Sequence, residues 1–211
     1  MTAPLPSSDL DGAPNPKREA ILRAGCRLFL EYGYGAVTMD AIAKDANVSK
    51  RTVYSHFASK ESLFAGVMSA MCDLLGDRAL PGETLDGPPE QVLTVIGEKF
   101  VNLVTSQNGI ALFRIVVGES ARFPELGTTF YATGPKRLVD SIAAYLREED
   151  RKGTLKVDAP ERAAMQFLDL AKSSVHLRLL LGVGDEPDEA EKQTAVREAV
   201  RCFLRVYGRG A

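Results

Sequence analysis

Val37 to Leu63, VTMDAIAKDANVSKRTVYSHFASKESL, is the stretch that leaves this chain the fewest choices. Thr38 is placed to cap a short helix on which Ile42 and Ala46 recur four apart, and Asp40 in its first turn suits the positive end of the helix dipole. The helix is expected to stop at Asn47, because asparagine tolerates the left-handed backbone of a tight reversal. Val48 then turns inward, and Ser49 can cap a second helix that buries Val53 and Phe57. Two short helices joined by three or four residues form a helix-turn-helix. With Val53 and Phe57 inside, Lys50, Arg51, Thr52, Ser55 and His56 fall on or near the outward side. Polar and cationic groups on a short helix are what reading a DNA major groove demands.

Phe29, Gly33, Tyr34, Thr38, Ile42, Ala43, Ala46, Val48, Ser49, Thr52, Tyr54, His56, Phe57, Ser59, Lys60, Glu61 and Leu63 follow one another without a gap, spaced FxxxGYxxxTxxxIAxxAxVSxxTxYxHFxSKExL. This run resembles the DNA-binding domain of the TetR family of transcriptional repressors. The resemblance implies that Thr38, Tyr54, His56 and Lys60 hold phosphates, while Lys50, Arg51 and Thr52 face base edges beside Ser49 and Ser55. Arg51 is the first candidate for guanine, which offers two acceptors to a guanidinium fork. Further along, FRIVVGESARFPELGTTFYATGPKR also looks like the C-terminal domain of the AefR-like subgroup. The family's usual form is a homodimer on a palindromic operator of double-stranded DNA, released by a small molecule lodged in the body.

Composition fits a reader with one charged end. The 211 residues carry a formal net charge of −2, with 45% hydrophobic and 26% charged residues. Between Pro14 and Gly66, however, eight lysines and arginines face five acids, a local excess of +3 that leaves −5 for the rest. A basic head on an acidic body points one end at phosphate. Cys26, Cys72 and Cys202 are odd in number, widely spaced and set among apolar residues, and read as reduced core cysteines. With only His56 and His176 beside them no metal-ligand cluster is visible, and no cofactor is expected. No GxSxG, GxxxxGK[ST] or HExxH occurs, so an enzyme is not expected. No apolar run approaches the roughly 18 residues of a membrane span, and no apolar signal segment opens the chain, so a cytoplasmic location is expected.

In chain order, Met1 to Ala13 reads as a flexible tail. Residues 14–60 read as the helix-turn-helix domain, and 61–211 as a larger helical domain for ligand binding and dimerisation. The fold class is therefore all-α. Asn15-Pro16 is a cap followed by proline at the first helical position, and helix one runs to Gly33 with Lys17 and Arg18 near a backbone phosphate. Ser59 is placed to cap a fourth helix, through about Leu75, that carries Met68, Met71 and Cys72 into the body. Pro81 to Pro89 is a loop, and Val92 to Gln107 a helix. Ile110 to Val117 is apolar almost all round and reads as buried, with Arg114 pairing, reaching the surface or facing a cavity. The next helix is split at Gly134-Pro135. Met68, Met71, Phe100, Phe113, Arg114, Phe130, Tyr131 and Phe167 are candidates to line a ligand space, although such residues at helical spacing also serve as plain core. The last two helices carry surplus apolar surface at Phe167, Val175, Leu179, Val196, Val200, Phe203, Leu204 and Tyr207, which suggests a four-helix interface with a second copy. A scaffold for protein partners, an activator and a ligand-independent regulator are the alternatives.

Overall fold

The computed structural model describes residues 15–76 and 87–209, without the side chains of residues 71–76 and Ser174. The expected tail at 1–13, the Pro81-Gly82 part of the loop, and the side chains of Met71 and Cys72 lie outside what is described. Among the described residues ten helices follow one another: α1 (Pro16–Ala36), α2 (Met39–Asp45), α3 (Lys50–His56), α4 (Lys60–Gly76), α5 (Pro89–Thr105), α6 (Gln107–Glu119), α7 (Pro124–Thr133), α8 (Pro135–Lys152), α9 (Pro160–Leu181) and α10 (Glu189–Tyr207). Among the described residues no strand forms beyond one isolated bridge, Leu155 with Gly208. No single described helix is long and apolar enough to cross a membrane.

Local chemistry sets the helix ends. The Asn15 side chain accepts from the amides of Lys17 and Arg18, both at 3.2 Å. Ser59 and Ser62 exchange hydrogen bonds between side chain and backbone at the start of α4, a reciprocal cap. Asp188 caps α10, its side chain accepting from Glu191 N at 2.7 Å. Gly182 closes α9 in the left-handed conformation, φ 67°. α1 breaks at Gly33, as its sequence predicts, then resumes for three residues to Ala36.

Packing divides the chain in an order that is not linear in sequence. Among the described residues, one compact unit joins those up to Leu74 to Ala111–Pro135; the other joins those of Leu75–Ile110 to those that follow Pro135. In the first, Ile21, Leu22, Phe29, Ile42, Val53, Phe57, Leu63 and Phe64 form a core with Leu112, Val116 and Leu126. Phe64 stands edge-on to Phe29 and Tyr34, with ring centres 5.5 and 5.4 Å apart, and Phe123 stands edge-on to Tyr34 at 5.2 Å. Gly25 lets α1 approach α4 closely, since a Cβ there would lie 2.6 Å from Leu63 Cδ2. In the second unit, Leu93, Ile96, Ile142, Leu146, Phe167, Val196, Val200 and Phe203 meet in one core.

Several sequence expectations are corrected by this packing. α6 is not buried all round: Ile110, Leu112 and Val116 point inward, while Arg114 is exposed and Val117 is 60% exposed. Of the expected interface residues, Phe167, Val175, Val196, Val200 and Phe203 are buried within the single chain, while Leu204 and Tyr207 are half-buried and pack against the second of these cores. Leu179 is half-buried. The apolar surface left over on α9 and just beyond it is Met165, Leu170, Leu177, Leu181 and Val183. Cys202 is exposed rather than core, whereas Cys26 is buried and its thiol is pushed up to about 11 by desolvation.

Phe64→Ala removes the ring that joins Phe29 to Tyr34 and should cost about 3–5 kcal/mol. Urea unfolding of the variant, with an unchanged slope and a lower midpoint, checks this.

Candidate nucleic-acid interface

α2 and α3 meet across a reversal built by backbone groups. The Thr38 hydroxyl accepts from Ala41 N at 3.2 Å, and Ser49 Oγ accepts from Thr52 N at 3.0 Å, so each short helix has its expected cap. Asn47 adopts φ 52°, and the Val48 amide returns to the Ala43 carbonyl at 3.0 Å. Ile42 and Val53 are fully buried beneath this turn. Burying Val53 leaves the rest of α3 outward: Lys50, Arg51 and Ser55 are exposed, Thr52 and His56 half-buried, and Tyr54 is 45% exposed. Packing alone does not use up the Tyr54 ring.

The charged groups around this face have partners that the sequence did not announce. Lys50 Nζ lies 2.7 Å from Asp40 Oδ1, and that carboxylate raises the lysine pKa through a hydrogen bond and its charge. Arg27 pairs with Asp45 at the far end of α2. Lys17 is exposed at the start of α1, and the Arg18 guanidinium sits 5.4 Å from the centre of the Phe57 ring.

Lys60 departs most from its expected role. Its Nζ donates to the carbonyls of Tyr34 at 2.9 Å and Val37 at 3.1 Å, and lies 4.3 Å from the Tyr34 ring centre. Instead of standing free for a phosphate, it holds the turn between α1 and α2. Tyr34 donates its hydroxyl to Glu61 at 3.1 Å; burial and then that carboxylate push the phenol well above its usual range. Glu61 is held low, first by the Ser59 hydroxyl. On the other side of the same turn, Glu119 accepts from Tyr34 N at 2.7 Å through Oε1 and from Gly35 N at 2.6 Å through Oε2. Glu119 and Tyr34 lie 85 residues apart, and no local pattern in the sequence joins them.

The expected ligand-lining residues divide between the two cores. Met68 lies in the first core with Phe130 packed against it, and the Phe113 ring is 5.9 Å from Phe130. Phe167 lies in the second core, with Phe100 packed against it. Tyr131 is 56% exposed and Arg114 is exposed, which removes both from any enclosed wall. Among the described residues no group of histidine, cysteine and carboxylate side chains is suited to a metal ion.

Known proteins share this arrangement over most of the chain. Residues 21–67 match the family described as bacterial regulatory proteins, tetR family. Residues 91–209 match the AefR-like transcriptional repressor, C-terminal domain. The regulator YhgD of Bacillus subtilis is 30% identical over 159 residues, covering 73% of this chain and 80% of its own. The solved structure of the flavonoid-responsive regulator FrrA is 35% identical, covers 92% of this chain and 98% of its own, and superposes with a TM-score of 0.77. A TetR-family structure from Mesorhizobium loti, 26% identical with 92% and 97% covered, gives 0.80. With a helix-turn-helix whose recognition face is open and polar, and with matches that together span both halves of the sequence, the chain belongs to the TetR family of DNA-binding transcriptional regulators.

Proposed function

We propose that the protein is a homodimeric repressor that reads a palindromic operator and is released from it by a small molecule. The observation that carries the reading is α3, which buries Val53 and turns Lys50, Arg51, Tyr54 and Ser55 outward. In a two-fold dimer two such helices address half-sites about 34–36 Å apart on one face of the duplex. Arg51 reads guanine; Thr38, Tyr54, His56, Lys17 and Arg18 hold the flanking phosphates. The dimer forms through α9, where Leu177 and Leu181, 59% and 68% exposed and one turn apart, leave an apolar strip without cover in the single chain. FrrA is named for its response to flavonoids. A flavonoid is accordingly the first ligand to try, with the apolar residues of the helical body forming the space that takes it.

Selection of bound duplexes from a random pool, at two salt concentrations, tests the reading. Enrichment of one palindrome, weakened steeply by salt, is expected; a folded dimer that enriches nothing overturns it. On the selected duplex, Arg51→Ala should cost about 1–3 kcal/mol and relax the preference at one base pair of each half-site. Lys17→Ala should weaken all duplexes alike and make the salt dependence shallower by about one charge per protomer.

The double variant Leu177→Asp with Leu181→Asp should be a folded monomer by light scattering, with operator binding lost. A dimer that persists places the interface elsewhere.

A further inference from the structure

The turn from Gly33 to Val37 is gripped from two directions. Its amides at Tyr34 and Gly35 are taken by the two carboxylate oxygens of Glu119, the last residue of α6, at 2.7 and 2.6 Å. Its carbonyls at Tyr34 and Val37 are taken by Lys60, the first residue of α4. The turn leads directly into Thr38 and α2, so whatever fixes it fixes the entry of the helix-turn-helix.

Three further observations single out the carboxylate. Gly33 has φ 78° and ψ 166°, and a Cβ there would lie 2.5 Å from Glu119 Oε1; at Gly35 it would lie 3.0 Å from Oε2. The backbone is shaped to bring a side chain of α6 against it. Phe123, just beyond Glu119, places its ring edge-on to Tyr34 and 5.7 Å from Lys60 Nζ, so the same end of α6 also touches the opposing grip. Finally, Glu119 lies within the matched C-terminal family domain, residues 91–209, while Tyr34 and Gly35 lie within the matched DNA-binding domain, residues 21–67. Packing nevertheless puts all three residues in one compact unit.

We propose that Glu119 is the positioning residue through which the regulatory half of the chain sets the orientation of the DNA-reading head, by holding the Tyr34 and Gly35 amides with its carboxylate. It touches no DNA. It acts through α2, whose start it fixes, and a change that draws the end of α6 away from α4 cannot keep both grips on a five-residue turn. The inference rests on the regulator reading, and its test separates the two.

The test compares wild type with Glu119→Gln and Glu119→Ala. Gln keeps the shape, but its amide nitrogen meets a backbone N–H, donor against donor. Hydrogen exchange of the full-length protein should show Tyr34 and Gly35 both losing protection in Glu119→Ala, and one of the two in Glu119→Gln, while the amides of α8 and α10 keep theirs. Anisotropy titration with the selected palindrome and with a scrambled duplex of equal length should show affinity for the palindrome falling about tenfold or more, with scrambled binding unchanged. A substitution that merely lowered the folded fraction would weaken both duplexes equally and leave their ratio as it was. An unaltered ratio, or amides that stay protected, overturns the proposal; if Glu119→Ala does not fold, Glu119→Gln decides. A wild-type protein with no preference for any duplex would instead remove the regulator reading, and amide exchange, which needs no DNA, would still decide whether Glu119 holds the turn.

Discussion

Between the end of α1 and the start of α2 the backbone leaves helical geometry, and its polar groups must find partners outside the helices. They find a carboxylate on one side and an ammonium on the other, Glu119 and Lys60, with the buried Tyr34 ring between them. Charge-assisted bonds of this kind are shorter and stronger than neutral ones, and those to Tyr34 and Val37 are partly buried beside the aromatic rings. Phe29, Phe64 and Phe123 close around Tyr34, so the apolar core and the polar turn are one assembly. The helix-turn-helix hangs from it.

By contrast, the ion pairs spread over the surface do little to hold the fold. Lys136 with Asp140, Arg151 with Glu148 and Arg201 with Glu198 are neighbours on single helices with side chains largely in solvent. What orders the second unit is the meeting of α5, α9 and α10 around Phe167 and Phe203, helped at its margin by Lys156 N donating to Tyr207 O at 2.7 Å. The Lys50–Asp40 pair differs in position rather than strength. It crosses from α3 to α2 on the outward side, tying the two short helices together.

What was legible in the sequence was what depends on near neighbours. Asn15, Thr38 and Ser49 cap within three residues, and Asn47 reverses the chain through its own backbone preference. The polar face of α3 followed directly from the spacing of Val53 and Phe57. What was not legible depends on partners far along the chain. Lys60 matched the resemblance at its own position, yet its ammonium goes to carbonyls more than twenty residues earlier. Periodicity counted the apolar residues of α9 and α10 correctly but could not say which of them one chain buries by itself. Val196, Val200 and Phe203 are covered by their own chain, while Leu177 and Leu181 are not. For α6 the run of apolar letters concealed a sided helix, because Val117 and Arg114 face out.

The interleaving of the two units also bears on how the chain is made. The core of the first unit contains Leu112, Val116 and Leu126, and its turn is held by Glu119, so the sequence up to Leu74 cannot complete that core unaided. During synthesis Leu112, Val116, Glu119 and Leu126 emerge after the helices they cover, so α1 and α4 lack these contacts until then. The contacts of Glu119 with the turn span some 85 residues, whereas the bonds within each helix are local and can form first. A translation product cut short before α7 therefore exposes apolar surface even though every residue of its helix-turn-helix is present.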